Sequence, residues 1–192
     1  MPDTEQSRTA LLVMDVQQGI VEMVADQADS LLERLRVAID AAHRHGIPVI
    51  YVTVGFRHGY PEVSRRNRNF SATKAAGRFG VDDPLAVVHP AVAPQPDDVV
   101  VTKLRVSAFT GSDLSVVLRS GEIETLVLTG IATGGVVLST VREAADLDFR
   151  LVVLADGCAD MDEEVHRVLL EKVISRQADV ISVDAWTAQL AE

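Results

Sequence analysis

Short apolar runs that alternate with helical patterns limit most strongly what this chain can fold into. Residues 10–14 are all apolar and end at Asp15, which is typical of a buried parallel strand. Residues 30–45 then repeat apolar side chains at helical spacing up to Gly46, and a β-branched run follows at 49–54. Because this strand–helix–strand pattern continues along the chain, we predict parallel strands with right-handed crossovers, in a three-layer α/β/α sandwich of six strands. The later predicted strands are 98–102, 124–129, 151–154 and 180–183, and the later predicted helices are 112–119, 135–148 and 162–174.

The length and composition favour a single domain and argue against membranes and nucleic acid as partners. A chain of 192 residues can bury a core without disulfides or metals, and we expect one domain over residues 1–192. No apolar run approaches the about 18 residues of a membrane-spanning helix, and the first eight residues lack the apolar core of a secretion signal. We therefore expect a cytoplasmic protein that does not bind membranes. The net charge of -10 and the 4% aromatic content argue against nucleic acid as a partner.

A basic cluster interrupts this acidic chain between residues 57 and 78. Periodicity fades over residues 56–97, where five of the seven prolines lie, so we expect short helices and a functional excursion over the edge of the sheet. Three interpretations remain open: a solvated loop, a site for an anionic ligand, or a contact between subunits of a homodimer or homotetramer. The cluster consists of Arg57, Arg65, Arg66, Arg68, Lys74 and Arg78.

Three polar features follow predicted strands. Asp15 comes after the first strand, Lys103 after the third, and the turn at 133–136 after the fourth. The carboxyl ends of parallel strands share one edge of a sheet, so these groups could converge there, beside the N-terminal amides of the next helix. Taken singly, Asp15 is also suited to capping a turn and Lys103 to reaching water.

Three motifs follow one another between residues 10 and 183: Leu12-Val13-Met14-Asp15-Val16-Gln17, Lys103 with Ser107-Ala108-Phe109 and Leu114, and Gly130-Ile131-Ala132-Thr133 with Thr140 and Ala144. In order and spacing, these motifs resemble the isochorismatase-like hydrolases. The resemblance implies a Rossmann-like sheet of strand order 3-2-1-4-5-6 and an active site of Asp, Lys and Cys. In nicotinamidases and N-carbamoylsarcosine amidohydrolases, the cysteine thiolate attacks an amide carbonyl and the aspartate takes its proton. By this resemblance, Asp15 is the acid/base and Lys103 the cation.

The resemblance also assigns roles to the turn and to substrate contacts. It implies a non-proline cis peptide between Ile131 and Ala132, with the amides of Ala132 and Val136 directed inward as an oxyanion hole. The predicted turn comprises Ile131, Ala132, Thr133, Gly134 and Gly135. Residues Gln17, Arg57 and Phe109 are the predicted substrate contacts, with Arg57 suited to pairing with a carboxylate.

The sequence departs from this pattern at the nucleophile, because Val136 occupies the cysteine position. Valine has no lone pair to attack with, so a cysteinyl acyl-enzyme at this position is excluded. Cys158 follows the fifth strand in a different turn, and we expect it to be buried and unreactive. We expect no cofactor and no metal, since the Asp-x-His predicted after the second strand reads Gly55-Phe56-Arg57.

Two functions fit these observations. Isochorismatases of the same superfamily also lack the cysteine and hydrolyse a vinyl ether with the aspartate as general acid, although their turn usually carries a histidine that this chain lacks at 133–134. Asp15 could act in this way on a small anionic substrate, provided that burial raises its pKa more than Lys103 lowers it. The alternative is a catalytically inactive pseudoenzyme of the same fold that only binds a small molecule.

Overall fold

A six-stranded sheet organises the protein, whose computed structural model describes residues 8–191. The strands are β1 (Thr9–Met14), β2 (Val49–Val54), β3 (Val99–Lys103), β4 (Thr125–Ile131), β5 (Arg150–Ala159) and β6 (Asp179–Ile181). They lie in the order β3-β2-β1-β4-β5-β6, and every neighbouring pair is parallel. The predicted sandwich and its strand order are confirmed.

The helices differ from the prediction mainly at their ends. The helix predicted from residue 30 begins at residue 25, and the helix predicted over 162–174 is divided into a short α-helix, a π-turn at Leu169–Val173 and a 3-10 turn at Ile174–Arg176. Strand β5 runs beyond the predicted residue 154 to residue 159. The helices are α1 (Gln18–Val21), α2 (Ala25–Arg44), α3 (Arg68–Ala75), α4 (Leu114–Ser120), α5 (Leu138–Asp146), α6 (Glu163–Val168) and α7 (Val183–Leu190).

Side chains of β1 alternate between two hydrophobic cores, one on each face of the sheet. Leu11 and Val13 belong to the core formed with α2 and α7, whereas Leu12 and Met14 belong to the core formed with α4 and α5. All four are at most 1% exposed. This period of two, in a strand that is apolar on both faces, explains why β1 reads as one continuous apolar run.

The strand order reverses between β1 and β4, and this point marks the expected position of a ligand site. Strand β1 pairs with β2 on one side and with β4 on the other, so the chain adds β2 and β3 on one side of β1 and then crosses to add β4, β5 and β6 on the other. Open parallel sheets bind ligands at the carboxyl ends of the strands at such a point. Gly130 allows β4 to approach closely, because its φ is +138° and an added Cβ would collide with the carbonyl of Met14.

The segment 56–97 contains short helices, as predicted. Helix α3 is capped by Asn67, whose side chain accepts a hydrogen bond from the Phe70 amide, and two 3-10 turns follow at Pro84–Ala86 and Pro90–Val92. Part of this segment lies over the carboxyl ends of the central strands. No helix within residues 8–191 has the length and apolar character needed to cross a membrane.

Candidate active site

A buried ion pair joins Asp15, which follows β1, to Lys103 at the end of β3. The Lys103 Nζ lies 2.9 Å from Asp15 Oδ2 and donates a second hydrogen bond to the Arg105 carbonyl at 3.0 Å. Asp15 is 6% exposed and Lys103 2% exposed. The structure therefore brings together two predicted catalytic residues that are far apart in the sequence.

The two oxygens of Asp15 have different surroundings. Oδ2 accepts from Lys103, whereas Oδ1 is buried and has no hydrogen-bond partner within residues 8–191. Asp15 has a φ of 57°, a left-handed conformation that aspartate and asparagine adopt more readily than most residues, and its amide donates to the Val52 carbonyl at 2.7 Å. Oδ1 is thus the oxygen that is available to exchange a proton with a ligand.

Burial raises the pKa of Asp15 to about 6, although the charge and hydrogen bond of Lys103 lower it. Desolvation disfavours the charged carboxylate, and here it outweighs the neighbouring cation. At neutral pH both protonation states are therefore populated, which is what an acid/base catalyst needs.

A cavity of about 390 Å³ opens onto this pair. Val136 and Gly135 form the wall contributed by the turn after β4, and Phe70 and Arg78 form the wall contributed by the segment 56–97. A larger open groove of about 1110 Å³ lies at the opposite end of the sheet, where strands begin, and contains neither Asp15 nor Lys103. Ligands of parallel sheets bind at the carboxyl ends, so we assign the active site to the smaller cavity.

The turn after β4 contains the cis peptide that the family resemblance implies. The Ile131–Ala132 peptide bond is cis, and residues 133–137 form a π-turn with a non-helical conformation at Gly135. The Gly134 amide donates to Asp160 Oδ2 at 2.7 Å, and the Gly135 amide donates to the Ala132 carbonyl at 2.9 Å. These two amides are therefore engaged within the protein.

Asp160, the Ala159 carbonyl and His166 form hydrogen bonds with the turn, and none of them was among the predicted site residues. Thr133 Oγ1 lies 2.7 Å from His166 Nδ1 and donates to the Ala159 carbonyl at 3.2 Å. Burial lowers the pKa of His166, which favours its neutral form. Asp160 follows directly after β5, but the predicted strand ended at residue 154, so the sequence did not place Asp160 at a strand end.

The three predicted substrate contacts lie outside this cavity. Both polar atoms of the Gln17 side chain bind the backbone of Val54: Nε2 donates to its carbonyl, and Oε1 accepts from its amide. Arg57 pairs with Glu62, and its side chain is 74% exposed. Phe109 is buried in the core beside Phe149, with the ring centroids 6.1 Å apart.

These three residues follow strands in sequence, but their side chains are used in other ways: internal hydrogen bonding, a surface ion pair and core packing. Residues that do line the cavity, such as Phe70, Arg78 and Phe79, come from the segment without clear periodicity.

Cys158 lies in β5, within the core. It is 5% exposed, its Sγ lies 3.9 Å from the Leu128 carbonyl, and burial raises the pKa of its thiol to about 12. A thiol with such a pKa is almost entirely protonated at neutral pH and is a poor nucleophile. Among residues 8–191, no group of three or more His, Cys, Asp and Glu side chains is arranged to hold a metal ion.

Comparison with known proteins identifies the family. The family model described as an isochorismatase domain matches residues 9–185. The chain belongs to the isochorismatase family. The isochorismatase family protein YwoC of Bacillus subtilis is 31% identical over 169 residues, which cover 88% of this chain and 87% of that protein.

Other relatives of this isochorismatase family chain include an amidohydrolase. The ureidoacrylate amidohydrolase RutB of Stutzerimonas stutzeri is 31% identical over 210 residues, which cover 96% of this chain and 84% of RutB. The crystal structure of a cysteine hydrolase from Pseudomonas syringae pv. phaseolicola superposes with a TM-score of 0.90 at 24% identity, and the match covers 100% of this chain and 95% of that one. That likeness demonstrates a shared fold.

The position of Val136 leads to a prediction about thiol reactivity. Val136 and Val137 are both buried in the same core, but Val136 lines the cavity and Val137 does not. A cysteine introduced at 136 lies beside a cation and near a helix N-terminus, both of which favour the thiolate. We expect Val136→Cys to react with iodoacetamide at least about tenfold faster than Val137→Cys.

Mass spectrometry of the intact protein measures this difference. The unmodified protein, with Cys158 alone, is the matched control and should remain unlabelled over the same period. Equal rates at 136 and 137 would show that the turn does not present residue 136 to the cavity.

Proposed function

We propose that this protein hydrolyses a small anionic molecule by general acid–base chemistry at Asp15, with Lys103 assisting and without a covalent intermediate. The observation that supports this most strongly is the asymmetric Asp15 carboxyl: one oxygen on Lys103, the other buried and unpartnered beside the cavity. Val136 provides an apolar wall where a thiol nucleophile would otherwise lie.

The reaction that fits this arrangement is hydrolysis of an enol ether. Protonated Asp15 transfers its proton to the terminal carbon of the double bond, which leaves an oxocarbenium ion beside the new carboxylate. Water adds to the cationic carbon, and the Asp15 carboxylate takes a proton from that water. The resulting hemiketal or hemiacetal then collapses to a carbonyl compound and an alcohol, so that atoms and charges balance and the acid is regenerated.

The surroundings of Asp15 suit both halves of this cycle. Burial raises the pKa of the carboxyl to about 6, so that part of it is still protonated near neutral pH, and Lys103 stabilises the carboxylate that forms after the proton is transferred. The thiol that attacks the amide in cysteine hydrolases is absent, because residue 136 is a valine. The amides of Ala132 and Val136 remain the candidates for an oxyanion hole if an anionic oxygen develops during hemiketal collapse.

The test uses a matched pair of small carboxylates, 4-(vinyloxy)benzoate and 4-acetamidobenzoate. We expect the protein to convert the vinyl ether to 4-hydroxybenzoate and acetaldehyde and to leave the amide intact. In D2O, acetaldehyde should carry one deuterium in its methyl group, which NMR detects, because the proton is added to carbon. Turnover of the amide alone would contradict the proposal, and binding of both compounds without product would favour the pseudoenzyme.

The pH dependence of this reaction follows from the raised pKa of Asp15. The acid form is the active form, so kcat/KM should be constant well below pH 6 and fall about tenfold per pH unit above the pKa of about 6. A rate that instead increases through pH 6 would mean that the carboxylate acts first as a base. Steady-state rates on 4-(vinyloxy)benzoate between pH 4.5 and 8.5 distinguish the two.

A further inference from the structure

The charges that line the active-site cavity do not balance. Its charged side chains are Asp15, Lys103 and Arg78. The first two form an ion pair, whereas Arg78 has no acidic partner within residues 8–191. Of the basic cluster between residues 57 and 78, Arg78 is the member that lines this cavity. The cavity therefore carries a net positive charge when Asp15 is ionised and a larger one when it is protonated.

The guanidinium of Arg78 is held in place by neutral groups. Its Nη2 donates to the Gly19 carbonyl at 2.6 Å, and its central carbon, Cζ, lies 5.1 Å from the centroid of the Phe79 ring. Gly19 provides the space for this contact, since an added Cβ there would collide with Nη2. These contacts fix the orientation of the guanidinium and leave its charge uncompensated.

One donor of Arg78 is unused. The Nε is buried and has no hydrogen-bond partner within residues 8–191. A buried donor without a partner is unfavourable, and an acceptor that reaches it removes that cost. A carboxylate is the acceptor whose geometry matches a guanidinium, because its two oxygens can accept two parallel hydrogen bonds.

The rest of the cavity wall is mainly apolar. Buried walls come from residues such as Ile20, Phe70 and Val136, and the rim carries two exposed methionines, Met23 and Met161, at 51% and 56% exposure. Methionine side chains adapt to apolar ligands of different shape. Such a wall favours a ligand whose body is apolar and whose charge is confined to one end.

We propose that Arg78 is the specificity-determining residue of this site and selects small apolar monocarboxylates. The carboxylate pairs with the guanidinium, and the apolar body lies between the Phe70 wall and the turn that contains Val136. This inference names the substrate class for the proposed function and rests on it for the chemical step, but the binding itself does not depend on turnover.

Binding of benzoate and of its neutral counterpart benzamide tests the proposal. By isothermal titration calorimetry, we expect the unmodified protein to prefer benzoate, and Arg78→Met to lower this preference at least about tenfold. The matched control is Arg66→Met, which removes an exposed charge of the same basic cluster and should leave the preference unchanged. Arg78→Lys, which keeps the charge but not the paired donors, should retain part of it.

A purely structural role of Arg78 predicts a different pattern. Loss of the Gly19 contact alone would weaken benzoate and benzamide equally, and this result would overturn the proposal. So would an absence of saturable benzoate binding to the unmodified protein, or an equal effect of Arg66→Met. To locate the ligand, benzoate should slow the labelling of Val136→Cys by iodoacetamide, and the addition of Arg78→Met should abolish that protection.

The two proposals fail in different ways. If 4-(vinyloxy)benzoate is not hydrolysed but the preference for benzoate depends on Arg78, the proposed reaction is wrong and the assignment of Arg78 stands. If the vinyl ether is hydrolysed with an unchanged KM by Arg78→Met, the reaction stands and Arg78 does not select the substrate.

Discussion

Replacing Asp15 with asparagine should lower kcat on 4-(vinyloxy)benzoate by about 10²- to 10⁴-fold, the usual contribution of a positioned general acid. Asparagine has nearly the same shape but cannot give or take a proton at neutral pH. It also tolerates the left-handed conformation that this position adopts, with φ at 57°. The fold should therefore survive while the chemical step is lost.

Circular dichroism and steady-state rates on the same preparation separate these effects. The matched control is Asp98→Asn, which alters another buried carboxylate, one that lies 2.8 Å from His43 just before β3, at the opposite end of the strand from Lys103. Asp98→Asn is expected to change stability but not kcat. Turnover of Asp15→Asn within tenfold of the unmodified protein would remove Asp15 from the mechanism.

The sequence was sufficient to predict where the two catalytic candidates meet. Asp15 and Lys103 are separated by most of the first half of the chain, but each directly follows a run of residues that the sequence predicts to be a parallel strand. Parallel strands end at one edge of the sheet, and strand β2 lies between β1 and β3, so the long lysine side chain spans the distance to the aspartate. The convergence followed from topology rather than from any local motif.

The surroundings of this pair could not be predicted in the same way. Gln17 and Arg57 follow strands as well, but the backbone of β2 binds the first and Glu62 binds the second. Arg78 belongs to a segment without periodicity, and its place in the cavity depends on the Gly19 carbonyl and the Phe79 ring. Such contacts are tertiary, and no spacing in the sequence encodes them.

The turn after β4 was predictable from the sequence in part and depends on tertiary contacts for the rest. Its position between a strand and a helix was predictable, and so was the apolar side chain at 136. The hydrogen bonds of Gly134 to Asp160 and of Thr133 to His166 join it to β5 and α6. Neither bond involves the side chain of residue 136, so the same backbone can persist whether that residue is a cysteine or a valine.

The identity of residue 136 separates this chain from the thiol chemistry implied by its resemblance to cysteine hydrolases. Relatives include an amidohydrolase, whereas in the reaction proposed for this chain, with its apolar side chain at 136, water is the nucleophile and Asp15 is the group that moves protons. The raised pKa of Asp15 is consistent with this change, because a general acid must hold its proton near neutral pH.

Replacing Lys103 with methionine should lower the free energy of unfolding by about 3–5 kcal/mol at pH 8, since the variant leaves a buried carboxylate without its partner. The loss should be smaller at lower pH. Burial already raises the pKa of Asp15 to about 6, and removal of the cation that opposes this shift raises it further. In the variant, Asp15 can then stay protonated at these lower pH values, so that no unpaired charge is buried.

The sign of the pH dependence follows from proton binding. A carboxyl whose pKa is higher in the folded state stabilises the fold at pH values below its unfolded pKa, and this stabilisation is lost as the pH rises through the folded pKa. In the unmodified protein the loss is complete a little above pH 6. In Lys103→Met it continues to higher pH, so the difference between the two proteins should widen from about pH 6 upward.

Urea unfolding at pH 5, 6.5 and 8 measures this difference, and the double variant Asp15→Asn/Lys103→Met is its control. With no carboxyl left to titrate, the double variant should lose the pH-dependent part of the destabilisation and should be more stable at pH 8 than Lys103→Met. A difference that is the same at all three pH values would mean that Lys103 stabilises the protein through packing alone. Asp15 would then hold its pKa without the lysine, and the role of Lys103 would be limited to orienting Oδ2.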